Sequence, residues 1–140
     1  MTQISLNKKV VIVIVALLAS ILLVGCNSSS NPSSLTEKWF NAIIKKDIET
    51  VAKFLYVPDF FYPEEIAKSL ISFLEEEGSI WSFEIKGETM SANGESAIVT
   101  VYVITEECIR RGGSGEEWRL FWIKQNNVWR IDVERIGDLN

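Results

Sequence analysis

The residues best suited to covalent chemistry in this chain are its two cysteines, Cys26 and Cys108. The chain contains no histidine. It therefore lacks a Ser–His–Asp triad, a Cys–His pair and a zinc site that uses histidine. Without a histidine to remove the thiol proton, Cys108 is interpreted as a residue at a strand end with a free thiol, and not as a nucleophile.

Acidic runs and a glycine-rich segment are the other features that resemble ligand sites. Residues 75–77 and 106–107 are consecutive glutamates. Consecutive side chains on a helix point in different directions, so these runs predict a solvated face and not a metal site. Residues 112–115 (GGSG) lack the lysine of a phosphate-binding loop and lead into two glutamates, which predicts a hairpin loop. No metal or other cofactor is predicted.

The N-terminal segment has the order of a signal peptide. Lys8 and Lys9 precede an apolar run over residues 10–24, which is shorter than the roughly 20 residues that a helix needs to cross a membrane. The run ends in Leu23-Val24-Gly25-Cys26. This motif resembles the lipobox of bacterial lipoproteins, and an uncleaved membrane anchor is the alternative.

The lipobox resemblance implies that residues 1–25 are removed and that Cys26 is lipidated and becomes the first residue. The domain would then be held outside the cytoplasm, at the cell membrane or the outer membrane. Residues 26–33 are predicted to form a flexible tether because they carry no large apolar side chain, and the folded domain is placed at 34–140.

The charge of the mature chain limits its partners. Only Lys8 and Lys9 among the 14 basic residues precede Cys26, whereas all 19 acidic residues follow it. The side-chain charge is therefore −7 after cleavage. An acidic surface argues against binding of nucleic acid and against tight adsorption to anionic headgroups. The lipid on Cys26 is thus the expected link to the membrane.

The domain is predicted to be α+β, with N-terminal helices packed on a curved four-stranded antiparallel sheet. Ser34 and Glu37 fit a capping box for the first helix. Asp47 is the expected N-cap of a second helix, which runs to Leu55 and is broken by Pro58, and a third helix extends from Pro63 to Gly78. The four strands are predicted at 81–86, 97–105, 117–124 and 128–135, with turns at 92–95 and 125–127.

Several segments resemble the nuclear-transport-factor-2-like (NTF2-like) superfamily, whose α+β cone is shared by SnoaL-like proteins. The resemblance is carried by the segments 39–47 (WFNAIIKKD), 95–101 (ESAIVTV), 120–124 (LFWIK) and 129–132 (WRID). It covers residues 34–135 and implies a cavity between the helices and the sheet. The inward faces predict that this cavity is lined by Trp39, Trp81, Phe83, Trp118, Leu120 and Trp122.

Some enzymes with this cone perform acid–base chemistry in the cavity with an aspartate and a tyrosine. The corresponding candidates in this chain are Asp47, Asp59, Tyr56, Tyr62 and Tyr102. The predicted inward faces carry no carboxylate, and Asp47 is needed as a helix cap, so no catalytic residue is assigned.

The expected function is therefore binding of a small apolar ligand or of an envelope protein, without catalysis. Two alternatives stay open at this point. One is a cavity enzyme of the isomerase or dehydratase type, and the other is an accessory subunit of an envelope assembly. An apolar cavity would favour ligand binding, whereas a large exposed apolar patch would favour a protein partner.

Overall fold

The computed structural model describes residues 30–138, so the predicted signal peptide and Cys26 lie outside the described residues. Within residues 30–138 there are four helices and five strands, followed by a 3-10 helix. Their bounds are α1 Pro32–Ile44, α2 Ile48–Lys53, β1 Leu55–Tyr56, α3 Pro63–Glu76, β2 Ile80–Met90, β3 Ser96–Thr105, α4 Glu106–Arg110, β4 Glu116–Gln125, β5 Val128–Asp132 and the 3-10 helix Val133–Asp138. No helix in this part of the chain is long and apolar enough to cross a membrane.

Helix α1 begins earlier than the sequence pattern predicted. Asn31, and not Ser34, is the N-cap: its side-chain oxygen accepts a hydrogen bond from the Ser34 backbone N–H at 2.8 Å. Pro32 occupies the first helical position, where a missing N–H costs nothing. The carboxylate of Glu88 on β2 accepts from the Ser33 N–H at 2.8 Å. Residues 32 and 33, which were predicted to belong to the tether, are thus part of the helix.

We expect Asn31→Ala to destabilise the domain by about 1 kcal/mol, because the Ser34 N–H loses its capping oxygen. Ser34→Ala is the matched control, since Ser34 contributes its backbone N–H to this cap. Urea denaturation of the two variants measures the difference. A larger loss for Ser34→Ala than for Asn31→Ala would restore the capping box that the sequence suggested.

The predicted signals at Asp47, Pro63 and Gly78 are confirmed. Asp47 accepts from the Thr50 N–H at 3.1 Å, Pro63 opens α3, and Gly78 has a φ of +101° just after that helix ends. The prediction that α2 runs to Leu55 is wrong: the helix stops at Lys53, well before Pro58, because Leu55 joins the sheet as part of β1. A strand of two residues has no periodicity that a sequence pattern could reveal.

The sheet has five strands in the order β1-β5-β4-β3-β2. β1 pairs with β5 in parallel, and the other three pairings are antiparallel. The predicted α+β class is confirmed. The prediction of a four-stranded antiparallel sheet is incomplete, because β1 adds a fifth strand that is parallel to its neighbour. The last strand also ends at Asp132 and not at Arg135, and the chain continues as the 3-10 helix.

An irregularity at the start of β2 changes which side chains face the core. Ile80 pairs with Thr105, and Ser82 pairs with Ile104, so Trp81 is an extra residue in the ladder. Ile80 is buried, whereas 66% of Trp81 is exposed. The prediction that Trp81 faces inward is therefore wrong, because it assumed unbroken alternation along the strand.

The core lies between the sheet and helices α1, α2 and α3. Phe40 stacks on Phe83, with their ring centroids 4.8 Å apart. Trp122 is fully buried, and its Nε1–H donates to Oγ1 of Thr36 at 2.9 Å. Thr36 is the one buried polar residue among those described, and this hydrogen bond satisfies its hydroxyl.

Candidate functional site

The candidate site is a cavity of about 810 Å³ between α1, α3, the 3-10 helix and the end of the sheet. Its apolar wall comprises Trp39, Leu70, Phe73, Leu74, Trp118, Leu120 and Ile136. Pockets of about 300–1,000 Å³ with an apolar wall and few polar groups are typical of small-molecule sites. The cavity is therefore large enough for a small organic ligand.

Three of the six residues predicted to line a cavity lie in this wall, namely Trp39, Trp118 and Leu120. The other three do not. Phe83 lies in the core against Phe40, Trp122 is buried beside Thr36, and Trp81 points outward. Strand β4 supplies Trp118 and Leu120 because alternate residues of a strand face the same side.

One element at the mouth of the cavity, helix α4, was not predicted by the sequence analysis. Helix α4 follows β3 directly, with Thr105 as its N-cap, and contributes Glu107 and Cys108 to the lining. It packs closely on the turn after α3: a Cβ atom at Gly78 would lie 2.9 Å from Cβ of Glu107. Gly78 thus allows the close approach that closes this side of the cavity.

The charged groups at the mouth give it a net negative character. Glu77, Glu107 and Glu116 line it together with one basic residue, Arg111. Hydrogen bonds from Arg110, and then from Arg111, hold the pKa of Glu107 below its ordinary value. Glu107 therefore stays ionised at neutral pH, and such a group is poorly matched to general acid–base catalysis there.

Cys108 is half-buried at the mouth and is a free cysteine, as the sequence analysis expected. Its backbone N–H donates to Oγ1 of Thr105 at 3.2 Å, and the Thr105 hydroxyl lies 3.3 Å from the sulfur as a donor. The residue belongs to α4 and not to a strand end, because the chain turns into that helix after Thr105. Its observed contacts are those of a helix cap.

Trp39 carries the one buried side-chain polar atom without a hydrogen-bond partner among residues 30–138, its Nε1. The side chain is 1% exposed and packs edge-on against Phe40, with centroids 5.4 Å apart. Burial of an unsatisfied donor costs about 1–3 kcal/mol. The wall of the cavity therefore contains a donor that destabilises the domain.

The acids and tyrosines considered for catalysis do not meet in the cavity. Asp47 caps α2, where hydrogen bonds from the Thr50 hydroxyl and N–H lower its pKa. Asp59 and Tyr62 are exposed between β1 and α3. The Lys86 ammonium lies 5.5 Å from the ring centroid of Tyr102. None of the five candidates belongs to the cavity lining, and residues 30–138 hold no group of three potential metal ligands.

Comparison with solved structures identifies the architecture. The first match is a Campylobacter jejuni protein proposed to be an NTF2-like transpeptidase, with a TM-score of 0.52 and 16% identity over 74% of this chain and 99% of that chain. The domain has an NTF2-like fold. A DUF4783 family protein from Bacteroides uniformis matches with a TM-score of 0.47 and 14% identity, over 66% of this chain and 86% of that one.

The NTF2-like fold expected from the sequence resemblance is thus confirmed for this domain. No protein-family model matches the sequence, and a search of curated proteins finds no match. Because identities of this order establish the fold alone, the function of the NTF2-like domain must be argued from its cavity and its surface.

Proposed function

We propose that this protein is a lipid-anchored extracytoplasmic binding protein whose NTF2-like domain holds a small apolar ligand without transforming it. The observation that carries the proposal is the cavity of about 810 Å³ with its wall of aromatic and aliphatic side chains. An apolar ligand that enters such a cavity removes both its own surface and the wall from water, which favours binding.

The mouth indicates which ligands fit best. Its charged lining consists of Glu77, Glu107, Glu116 and Arg111, so acidic groups outnumber basic ones. A negative mouth repels anions and attracts cations at short range. We therefore expect neutral or cationic apolar ligands to bind more tightly than anionic ligands of the same size.

The positions and charges of the acidic side chains favour binding over catalysis. The pairs of an aspartate and a tyrosine that were considered for catalysis lie outside the cavity, and the carboxylates of its lining are those of the mouth, Glu77, Glu107 and Glu116. Glu107 at the mouth is held in its charged form by arginine neighbours. A cavity enzyme without histidine would need a carboxylate whose pKa is raised by burial, and Glu107 is shifted in the opposite direction.

The anchor is inferred from the sequence motif at 23–26 and from the short apolar run that precedes it. The acidic surface would not by itself hold the domain at a membrane, so a covalent lipid on Cys26 supplies the attachment.

Binding of a neutral apolar dye such as Nile red tests the cavity. The unmodified protein should enhance the dye's fluorescence, and Phe73→Glu should weaken binding at least tenfold by placing a charge in the apolar wall. Phe73 is 57% exposed, so this substitution should leave the fold intact. Ser72→Glu is the matched control, because Ser72 is an exposed neighbour on α3 outside the lining.

Equal dye binding by the protein, Phe73→Glu and Ser72→Glu would show that the dye does not occupy this cavity. The proposal of an apolar ligand site would then be wrong. Circular dichroism of each variant verifies that the fold is retained, so that a loss of binding reports on the cavity and not on unfolding.

A further inference from the structure

The connector between β1 and α3, residues 57–62, exposes three consecutive aromatic side chains. Phe60 is 93% exposed, Tyr62 is 70% exposed and Phe61 is 57% exposed. None of the three belongs to the core cluster. Three adjacent aromatic rings in water form an apolar patch whose burial against a partner would be favourable. We refer to residues 57–62 as the aromatic connector.

The aromatic connector leaves β1 beside Asp132, and its last residue, Tyr62, returns to the half of the sheet that carries the two hairpin turns. Tyr62 lines a groove together with Arg130 of β5. Arg130 pairs with Ile123 of β4, which in turn pairs with Ser96 at the start of β3. The Lys124 N–H donates to the Glu95 carbonyl at 2.8 Å, which joins the two hairpins at this end.

The first turn of α1 lies toward the same end of the sheet. The Ser33 N–H and hydroxyl donate to the carboxylate of Glu88 on β2. Glu88 pairs with Val99, three residues from Ser96, in the half of β3 nearest the hairpins. α1 therefore starts beside β2, at one edge of the sheet, and the connector lies beside β1 and β5 at the other edge.

The distance from the lipid to this end of the domain is short. Only residues 27–30 separate Cys26 from Asn31, the N-cap of α1. Five residue steps, fully extended, span at most about 18 Å. If the lipid on Cys26 is in the bilayer, Cys26 itself lies at the headgroups. The start of α1, and with it the hairpin end of the sheet, then stays close to the bilayer surface.

We propose that the aromatic connector is a second attachment of this domain, inserted into the headgroup region of the bilayer that holds Cys26. This inference rests on the proposed lipid anchor. Tyrosine is enriched at the membrane–water interface, and phenylalanine is among the residues that interfacial segments bury at the boundary between headgroups and acyl chains. The lipid on Cys26 also raises the effective concentration of the connector at the bilayer, so that even a weak second attachment is populated.

The chemistry of the surroundings selects a zwitterionic surface. The acidic residues Asp59, Glu64 and Glu65 flank the three rings and outnumber Lys53 and Arg130, which line the groove beside Tyr62, and the mature chain is acidic as a whole. Insertion of aromatic rings depends on apolar area and not on charge, whereas anionic headgroups would repel these carboxylates. The connector therefore fits a bilayer of neutral phospholipids.

This attachment would orient the ligand cavity. The mouth is lined by Gly78, Thr105 and Glu116. Thr105 is the last residue of β3, and Glu116 pairs with Val103 at the same end. The mouth thus lies at the end of the sheet opposite the hairpins. With the connector in the bilayer, the cavity opens toward the aqueous compartment, and its ligand would enter from there.

Hydroxyl-radical footprinting of the protein produced from its whole sequence tests the insertion of the aromatic connector. The protein is extracted from a producing bacterium and reconstituted in phosphatidylcholine vesicles, and each residue's oxidation is compared with that of the free amino acid. For the domain free in water, Trp81 should be more protected from oxidation than Phe60, because 66% of Trp81 is exposed and 93% of Phe60 is exposed. Insertion of the connector reverses this order, so that residues 60–62 become several-fold more protected than Trp81.

A pair of variants separates the connector from general effects. Phe60→Asp combined with Phe61→Asp should restore oxidation of Tyr62, whereas Trp81→Asp should leave Tyr62 protected. The mass of the N-terminal peptide reports the state of Cys26. A lipidated Cys26 with freely oxidised residues 60–62 overturns the second attachment alone. A Cys26 without lipid overturns the anchor and this inference together.

Discussion

Trp122→Ala is expected to destabilise the domain by about 3–5 kcal/mol, which is the usual cost of truncating a buried aromatic side chain. Trp122 is 0% exposed and packs edge-on against Phe54, with centroids 6.1 Å apart. It lies between Ala97 of β3 and Ile131 of β5 in the sheet. Urea denaturation, followed by circular dichroism, measures the free energy of unfolding. A loss below about 1 kcal/mol would contradict the burial of this ring.

A comparison with Trp39 isolates the contribution of the Trp122 hydrogen bond. Trp122→Phe and Trp39→Phe remove the same ring atoms from buried positions. Trp122→Phe also breaks the hydrogen bond to Thr36, whereas Trp39→Phe removes a donor that has no partner. We expect Trp122→Phe to cost about 1–3 kcal/mol more than Trp39→Phe, which is the penalty for leaving a buried polar group unpaired. Equal losses would mean that the Trp122–Thr36 hydrogen bond contributes nothing.

Much of this fold follows from local signals that can be read in the sequence. Asp47 and Pro63 mark helix starts because each satisfies or avoids an unpaired N–H group. Asn126 and Asn127 both adopt positive φ angles, as a two-residue hairpin turn requires. The alternation in β4 correctly placed Trp118, Leu120 and Trp122 on one face.

The features that sequence reasoning missed depend on long-range contacts or on very short segments. The start of α1 is the exception, because Asn31 and Pro32 form a local start signal that the sequence analysis passed over in favour of Ser34, and Glu88 adds a contact from 55 positions away. β1 has two residues and exists because β5 lies beside it. Trp81 is turned outward by an extra residue in the β2–β3 ladder, and no residue in that segment marks the irregularity. Strand β1 and the outward turn of Trp81 thus depend on the assembled sheet and not on a local pattern.

The candidate site also has a part that local patterns predicted and a part that they did not. Its apolar wall was half predicted, because Trp39, Trp118 and Leu120 lie on faces with clear periodicity. Its mouth was not predicted, because α4 has only five residues and shows no amphipathic repeat. A usable signal was nevertheless present: Thr105 precedes two glutamates, and Arg110 follows, which is the charge order of a short capped helix.

Cys26→Ser is expected to abolish lipidation completely, because the acyl-bearing group is attached through the cysteine sulfur and serine has none. The match of residues 23–26 to the lipobox implies that lipidation precedes cleavage, so this variant should also retain residues 1–25. Mass spectrometry of the protein isolated from a producing bacterium distinguishes the two forms. The unmodified protein should begin at an acylated Cys26, and the variant should be longer and carry no acyl group.

Cys108→Ser is the matched control, since Cys108 lies at the cavity mouth, 82 residues beyond the lipobox-like motif that ends at Cys26. It should be cleaved and lipidated like the unmodified protein. Cleavage and membrane retention of Cys26→Ser at unmodified levels would overturn the lipid anchor. An unmodified protein that retains residues 1–25 would instead identify the apolar run as an uncleaved membrane anchor. The proposal of a domain held at a membrane requires one of these two forms, because the acidic surface would not by itself supply the attachment.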